Sequence, residues 1–79
     1  MKNIIVITGG AGFVGSNLID LFLKNTKLRI ISIDNYSTGN KKNHIKNKRV
    51  KYIKGDTKNI EILLKNIKKK IHSIFHFGE

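Results

Sequence analysis

Thr8-Gly9-Gly10-Ala11-Gly12-Phe13-Val14-Gly15 is the stretch whose reading decides the fold. An unbroken Ile/Val run over residues 4–7 leads into it, and a helical pattern leads out, so it sits where a buried strand turns into a helix. Its three spaced glycines each have a physical use there. Gly9 permits the tight turn out of the strand. Gly12 lets the backbone come close to a diphosphate, because a Cβ would occupy phosphate space. Gly15 lets the helix pack near the sheet. The first helical N–H groups, which have no intrahelical acceptor, then face an anion together with Phe13 and Val14. Plain turn glycines would need none of this context. A P-loop is excluded, since no Gly-Lys-Ser or Gly-Lys-Thr follows.

Working outward, strand-like runs occupy residues 3–8, 28–34, 50–54 and 72–77, and helical patterns occupy 13–24 and 58–69. Residues 35–48 read as a long polar loop. In the first helix Val14, Leu18, Leu21 and Phe22 share a face that Ile19 and Leu23 widen, and Asp20 with Lys24 forms an i,i+4 pair. In the second, Ile60, Leu63, Leu64, Ile67 and Ile71 make the buried stripe. Asp56 or Thr57 can cap it, Glu61 sits in its first turn, and Lys68 to Lys70 sit in its last. This alternation predicts an α/β fold, the N-terminal part of a Rossmann-type doubly wound parallel sheet, with four strands in the order 3-2-1-4. Asp34 closes the second strand roughly twenty residues after Gly15, where a carboxylate accepts from the adenosine ribose hydroxyls and repels a 2′-phosphate. That favours NAD over NADP. Lys41, Lys42 and Arg49 pull the other way, but Asp34 is better placed.

The formal charge of +11 points first to an anionic partner such as nucleic acid. Ile, Lys and Asn supply nearly half of the residues, however, so the charge reads as compositional bias spread over loops and helix faces, and no nucleic acid is expected. The chain has no Cys, its three His share no metal-ligand spacing, and its N-terminal apolar run is far too short for a membrane span. The expected location is the cytoplasm, with no metal. His76, between Phe75 and Phe77, reads as a buried structural histidine.

Four elements make the sequence resemble the extended short-chain dehydrogenase/reductase superfamily, in particular its NAD-dependent epimerase/dehydratase members acting on nucleotide sugars. Thr8 through Leu18 looks like the family's phosphate loop. Asp34-Asn35-Tyr36-Ser37-Thr38-Gly39 is similar to the stretch after the second strand, and the resemblance implies that Asp34 holds the ribose while Asn35, Ser37, Thr38 and Gly39 lie along the ribose and diphosphate. Gly55-Asp56-Thr57 looks like the adenine-contacting element, with Asp56 accepting from the amino group and the Thr57 backbone meeting the ring. A helix cap is the other reading of Asp56. His76-Phe77-Gly78-Glu79 resembles the fourth element, which brings Phe77 and Gly78 near the cofactor. The family more often carries His-x-Ala-Ala there, so Glu79 is a departure.

The resemblance implies that NAD is the cofactor, that a nucleotide sugar is the partner of the full-length enzyme, and that the enzyme is a homo-oligomer. The family's catalytic Ser or Thr and its Tyr-x-x-x-Lys pair have no counterpart here: Asn40 and Asp56 stand four positions beyond Tyr36 and Tyr52. No catalytic residue is therefore assigned, and residues 1–79 are expected to be a partial NAD-binding domain truncated before the catalytic and substrate-binding parts. Such a fragment, ending in a strand that carries Ile74, Phe75 and Phe77, is expected to be aggregation-prone alone. The alternatives are a reductase from another branch of the superfamily and a non-catalytic NAD-binding module.

Overall fold

The computed structural model describes residues 2–9, 12–35, 44–55 and 59–77. Within them the order is β1 (Ile4–Thr8), α1 (Phe13–Asn25), β2 (Arg29–Asp34), β3 (Val50–Lys54), α2 (Ile60–Leu63), a 3-10 segment (Lys65–Lys70) and β4 (Ile71–His76). The strands form one sheet in the order β3-β2-β1-β4, and every neighbouring pair is parallel. The topology is the expected one. Among the described residues no helix is long and apolar enough to cross a membrane.

β1 is buried along its whole length because it runs between two strands and under both faces of apolar cover. Alternation along the strands sorts the core into two clusters. On one face Ile5, Ile7 and Ile30 pack with Ile19 of α1, joined by Phe22, Leu23 and Phe75. On the other, Ile4, Val6 and Ile33 pack with Leu64, joined by Ile60 and Ile67. α1 and the α2 region therefore lie on opposite faces.

Two helical readings need correction. The buried stripe of α1 centres on Gly15 and Ile19, with Leu18, Phe22 and Leu23 partly covered, whereas Val14 and Leu21 are exposed. With one sheet to cover, only the narrow seam facing it is buried. The second helix is not one α-helix over 58–69: an α-turn gives way at Leu64 to the 3-10 segment, where Ile67 N–H donates to the Leu64 carbonyl at 3.0 Å. Lys65, Lys68 and Lys69 would repel at i,i+3 and i,i+4 spacing on a continued α-helix, while Leu64 and Ile67 reach the same core at the 3-10 period. Residues 56–58, the expected cap, lie outside the described part; Asn59 occupies the N-cap position without a side-chain bond.

α1 ends without glycine. Thr26 caps it, its N–H and its hydroxyl both donating to the Phe22 carbonyl, at 2.9 and 2.7 Å. Arg49 completes the end: its guanidinium donates to the carbonyls of Leu23 (2.6 Å), Thr26 (2.6 Å) and Leu28 (3.2 Å). The Leu23 and Thr26 carbonyls are acceptors that a helix terminus leaves orphaned, and a cation is favoured there. The surface pair Asp20–Lys24 forms as expected, at 2.9 Å.

Candidate functional site

Three backbone bonds tie the C-terminal ends of the strands into one rim. Gly55 N–H donates to the Asp34 carbonyl (3.0 Å), Gly9 N–H to the Ile33 carbonyl (2.8 Å), and Phe77 N–H to the Thr8 carbonyl (2.9 Å). The rim thus runs from Gly55 through Asp34 and Gly9 to Phe77. The chain moves from β1 outward to β2 and β3 and then back past β1 to β4, so the switch point of this open sheet, the usual place for a ligand, is the β1 end of the rim.

At that point Gly9 has φ 78°, the left-handed region that favours glycine. The turn it opens is closed by Gly12 N–H donating to the Gly9 carbonyl at 3.1 Å, and Gly12 becomes the N-cap of α1. No side chain caps the helix and its first turn holds no acidic residue. The positive end of a 13-residue helix is left without an anionic partner of its own in that turn. Phe13 and Val14, at this end, are 81% and 58% exposed. Gly15 is buried beneath the helix. Such a helix end favours an anion.

Asp34 is only 7% exposed at the end of β2, one strand away, and Asn35 follows it at the surface. The structure thus brings Gly9, Gly12, Phe13, Val14, Gly15, Asp34, Asn35 and Phe77 to one sheet edge. Ser37, Thr38, Gly39, Asp56, Thr57 and Gly78 lie outside the described residues.

The charge balance around Asp34 changes in one respect. Arg49 begins the opposite end of β3 and is held on the carbonyls of α1 and its following turn, so it is no candidate for a 2′-phosphate beside Asp34. Lys41 and Lys42 lie outside the described residues. His76 is also corrected: it is exposed at the end of the edge strand β4, and its Nδ1 lies 3.3 Å from the Thr8 hydroxyl.

Sequence reasoning passed over Thr8. Its buried hydroxyl accepts a second bond from Phe77 N–H, at 3.2 Å, and so couples the glycine turn to the end of β4. A hydroxyl closing an all-apolar strand was the available signal. Tyr52 was missed as well. Its hydroxyl accepts from Ile45 N–H at 2.9 Å and its ring stacks on His44 with centroids 3.8 Å apart, which fastens the return of the long loop to β3.

Comparison with known proteins agrees with this geometry. The family model described as "NAD dependent epimerase/dehydratase family" matches residues 5–79. A UDP-glucuronic acid decarboxylase of Arabidopsis thaliana is 54% identical over 39 residues, 49% of this chain and 11% of that protein. A putative UDP-glucose 4-epimerase of Methanocaldococcus jannaschii is 33% identical over 72 residues, 91% of this chain and 23% of that protein. Among solved structures, a dTDP-glucose 4,6-dehydratase of Bacillus anthracis in complex with NAD superposes with TM-score 0.82 at 32% identity, covering 94% of this chain and 26% of its own. The chain spans about a quarter or less of the length of these relatives.

Proposed function

This chain belongs to the NAD dependent epimerase/dehydratase family, and from that premise we propose that its C-terminal sheet edge holds the ADP part of NAD in an enzyme acting on nucleotide sugars. The observation that carries the reading is the uncapped N-terminus of α1 behind the Gly9–Gly12 turn, one strand from a buried carboxylate. In this reading the N–H groups of Phe13, Val14 and Gly15 bind the diphosphate, and Gly12 gives it room. Asp34 accepts from the adenosine ribose hydroxyls, with Asn35, Ser37, Thr38 and Gly39 along ribose and diphosphate. Asp56 and Thr57 meet the adenine, and Phe77 and Gly78 border the path toward the nicotinamide.

When bound, NAD supplies hydride acceptance and return, which in the whole enzyme would oxidise the sugar transiently. The residues of this chain bind and orient. The charge-assisted bonds they offer, from N–H to phosphate and from hydroxyl to carboxylate, are the strong class. The relatives support the substrate class: the named decarboxylase, epimerase and dehydratase are all enzymes of nucleoside-diphosphate sugars by name. Calorimetric titration with NAD, NADP and ADP-ribose tests the cofactor reading. NAD and ADP-ribose should bind similarly and NADP more weakly; an absence of binding by all three to the folded chain would refute it.

A further inference from the structure

The Thr8 hydroxyl, at the foot of the glycine turn, has one proton and three groups within reach. Thr8 is fully buried, and the amide of Phe77 donates to its side-chain oxygen at 3.2 Å. Two acceptors then compete for its own proton: His76 Nδ1 at 3.3 Å and the Phe75 carbonyl at 3.5 Å. The ring is the nearer of the two. A neutral His76 therefore accepts on Nδ1 and carries its hydrogen on Nε2, so its tautomer is set by the residue that adjoins Gly9.

Protonation reverses that bond without breaking it. The charged ring donates from Nδ1 to the Thr8 oxygen, and the hydroxyl turns its proton to the Phe75 carbonyl, so each partner stays satisfied. What changes is charge. A cation appears at the exposed end of β4, beside the strand whose end opens the turn into the uncapped N-terminus of α1. The elements around His76 bring few groups that could mask the change. Glu61 of α2 and Lys65 and Lys68 of the 3-10 segment line the same cavity as the ring. Carboxylate and ammonium groups ordinarily keep their charge between about pH 5 and 8, where imidazole titrates. β1 brings no titratable side chain. On β4 itself His72 lies near the strand start, its Nδ1 2.7 Å from the Ser73 hydroxyl, and His44 stacks on Tyr52 of β3, at the far side of the sheet.

We propose, resting on the reading of this rim as an NAD site, that His76 is its proton-linked positioning residue. Through Thr8 it ties the glycine turn to β4, and its protonated form strengthens diphosphate binding there. NAD is the probe, because its diphosphate is a diester whose charge stays constant over the imidazole range. Calorimetric titration should give an affinity about twofold to fivefold higher at about pH 5.5 than at about pH 8, the size of one added charge acting through largely aqueous surroundings. His76→Asn offers Thr8 an amide oxygen in place of Nδ1, so at about pH 8 it should bind NAD within about twofold of the parent and lose the pH dependence. His72→Asn should keep both. Nitrogen NMR spectra of the free chain at about pH 8 should show the Nε2–H tautomer of His76. If His76→Asn loses its fold by circular dichroism, the parent's tautomer and affinity ratio decide. An Nδ1–H tautomer, equal NAD affinities at the two pH values, or a pH dependence that survives His76→Asn overturns the proposal and leaves the cofactor reading standing. NAD that binds at neither pH overturns both.

Discussion

Gly12→Ala separates what the fold requires from what a ligand requires. Gly12 has φ −83° and ψ 174°, an extended conformation open to any residue. A Cβ there meets the Gly9 carbonyl oxygen at 3.4 Å, an ordinary contact. The folded chain by itself thus gives no reason for glycine at this position. Stability should stay within about 1 kcal/mol of the parent, and the stiffer unfolded chain works in favour of the variant. Gly9 is the contrast, because its φ of 78° is strained for alanine, and Gly9→Ala should cost about 1–2 kcal/mol. Binding should reverse the order of damage. A methyl at Gly12 occupies the space the diphosphate needs beside the helix N-terminus and lengthens its bonds to the first N–H groups. Such bonds are worth about 1.5–3 kcal/mol each, so losing one weakens NAD binding by roughly ten- to a hundredfold. Urea denaturation followed by circular dichroism reads the first quantity and calorimetric titration the second. A folded Gly12→Ala chain that binds NAD as the parent does would show that the diphosphate does not pass over this residue. A large loss of stability would show that the fold, not the ligand, demands the glycine.

Asp34→Ala should weaken NAD and narrow the preference for NAD over NADP; an unchanged affinity ratio in paired titrations would show that the carboxylate does not face the 2′-hydroxyl. Arg49→Met should cost about 2–3 kcal/mol in urea denaturation, because three carbonyls lose a charged donor. The NAD/NADP ratio should not move, as Arg49 lies at the other end of β3 from Asp34. Asp20→Asn should change stability by less than about 0.5 kcal/mol in the same assay, since the Lys24–Asp20 pair is 71% and 49% exposed and screened by solvent.

What was legible in the sequence follows the range of the forces involved. β3 occupies the expected residues 50–54, β1 and β2 begin one residue late, and β4 is displaced by one residue at both ends, because apolar runs between breakers are local signals. The strand order followed from chirality and connection length, which act on any chain of this pattern. The faces of the helices were harder. Val14 and Leu21 are as apolar as Leu18 and Phe22, and only the distance to the sheet separates them. The break at Leu64 depended on weighing lysine repulsion against an apolar stripe that suits either helical period.

The site divides along the same line. The meeting of Gly9, Gly12 and Asp34 at one sheet edge was legible because each lies within a few residues of the strand end that places it. Arg49 was not, although it adjoins a loop that begins at Asn35. Five residues of β3 at about 3.3 Å each put roughly 16 Å between the start of that strand and its end. A parallel strand must begin at the edge opposite to the one where its predecessor finished, so the loop from β2 to β3 crosses the full height of the sheet. A cation late in that loop is therefore carried away from Asp34, not toward it, and meets the C-terminus of α1, which arrives at the same edge for the same topological reason. Parallel connectivity thus sends the last cation of the loop to the strand starts while the carboxylate stays at the strand ends. The distance between Arg49 and Asp34 is a consequence of the fold as much as of the composition.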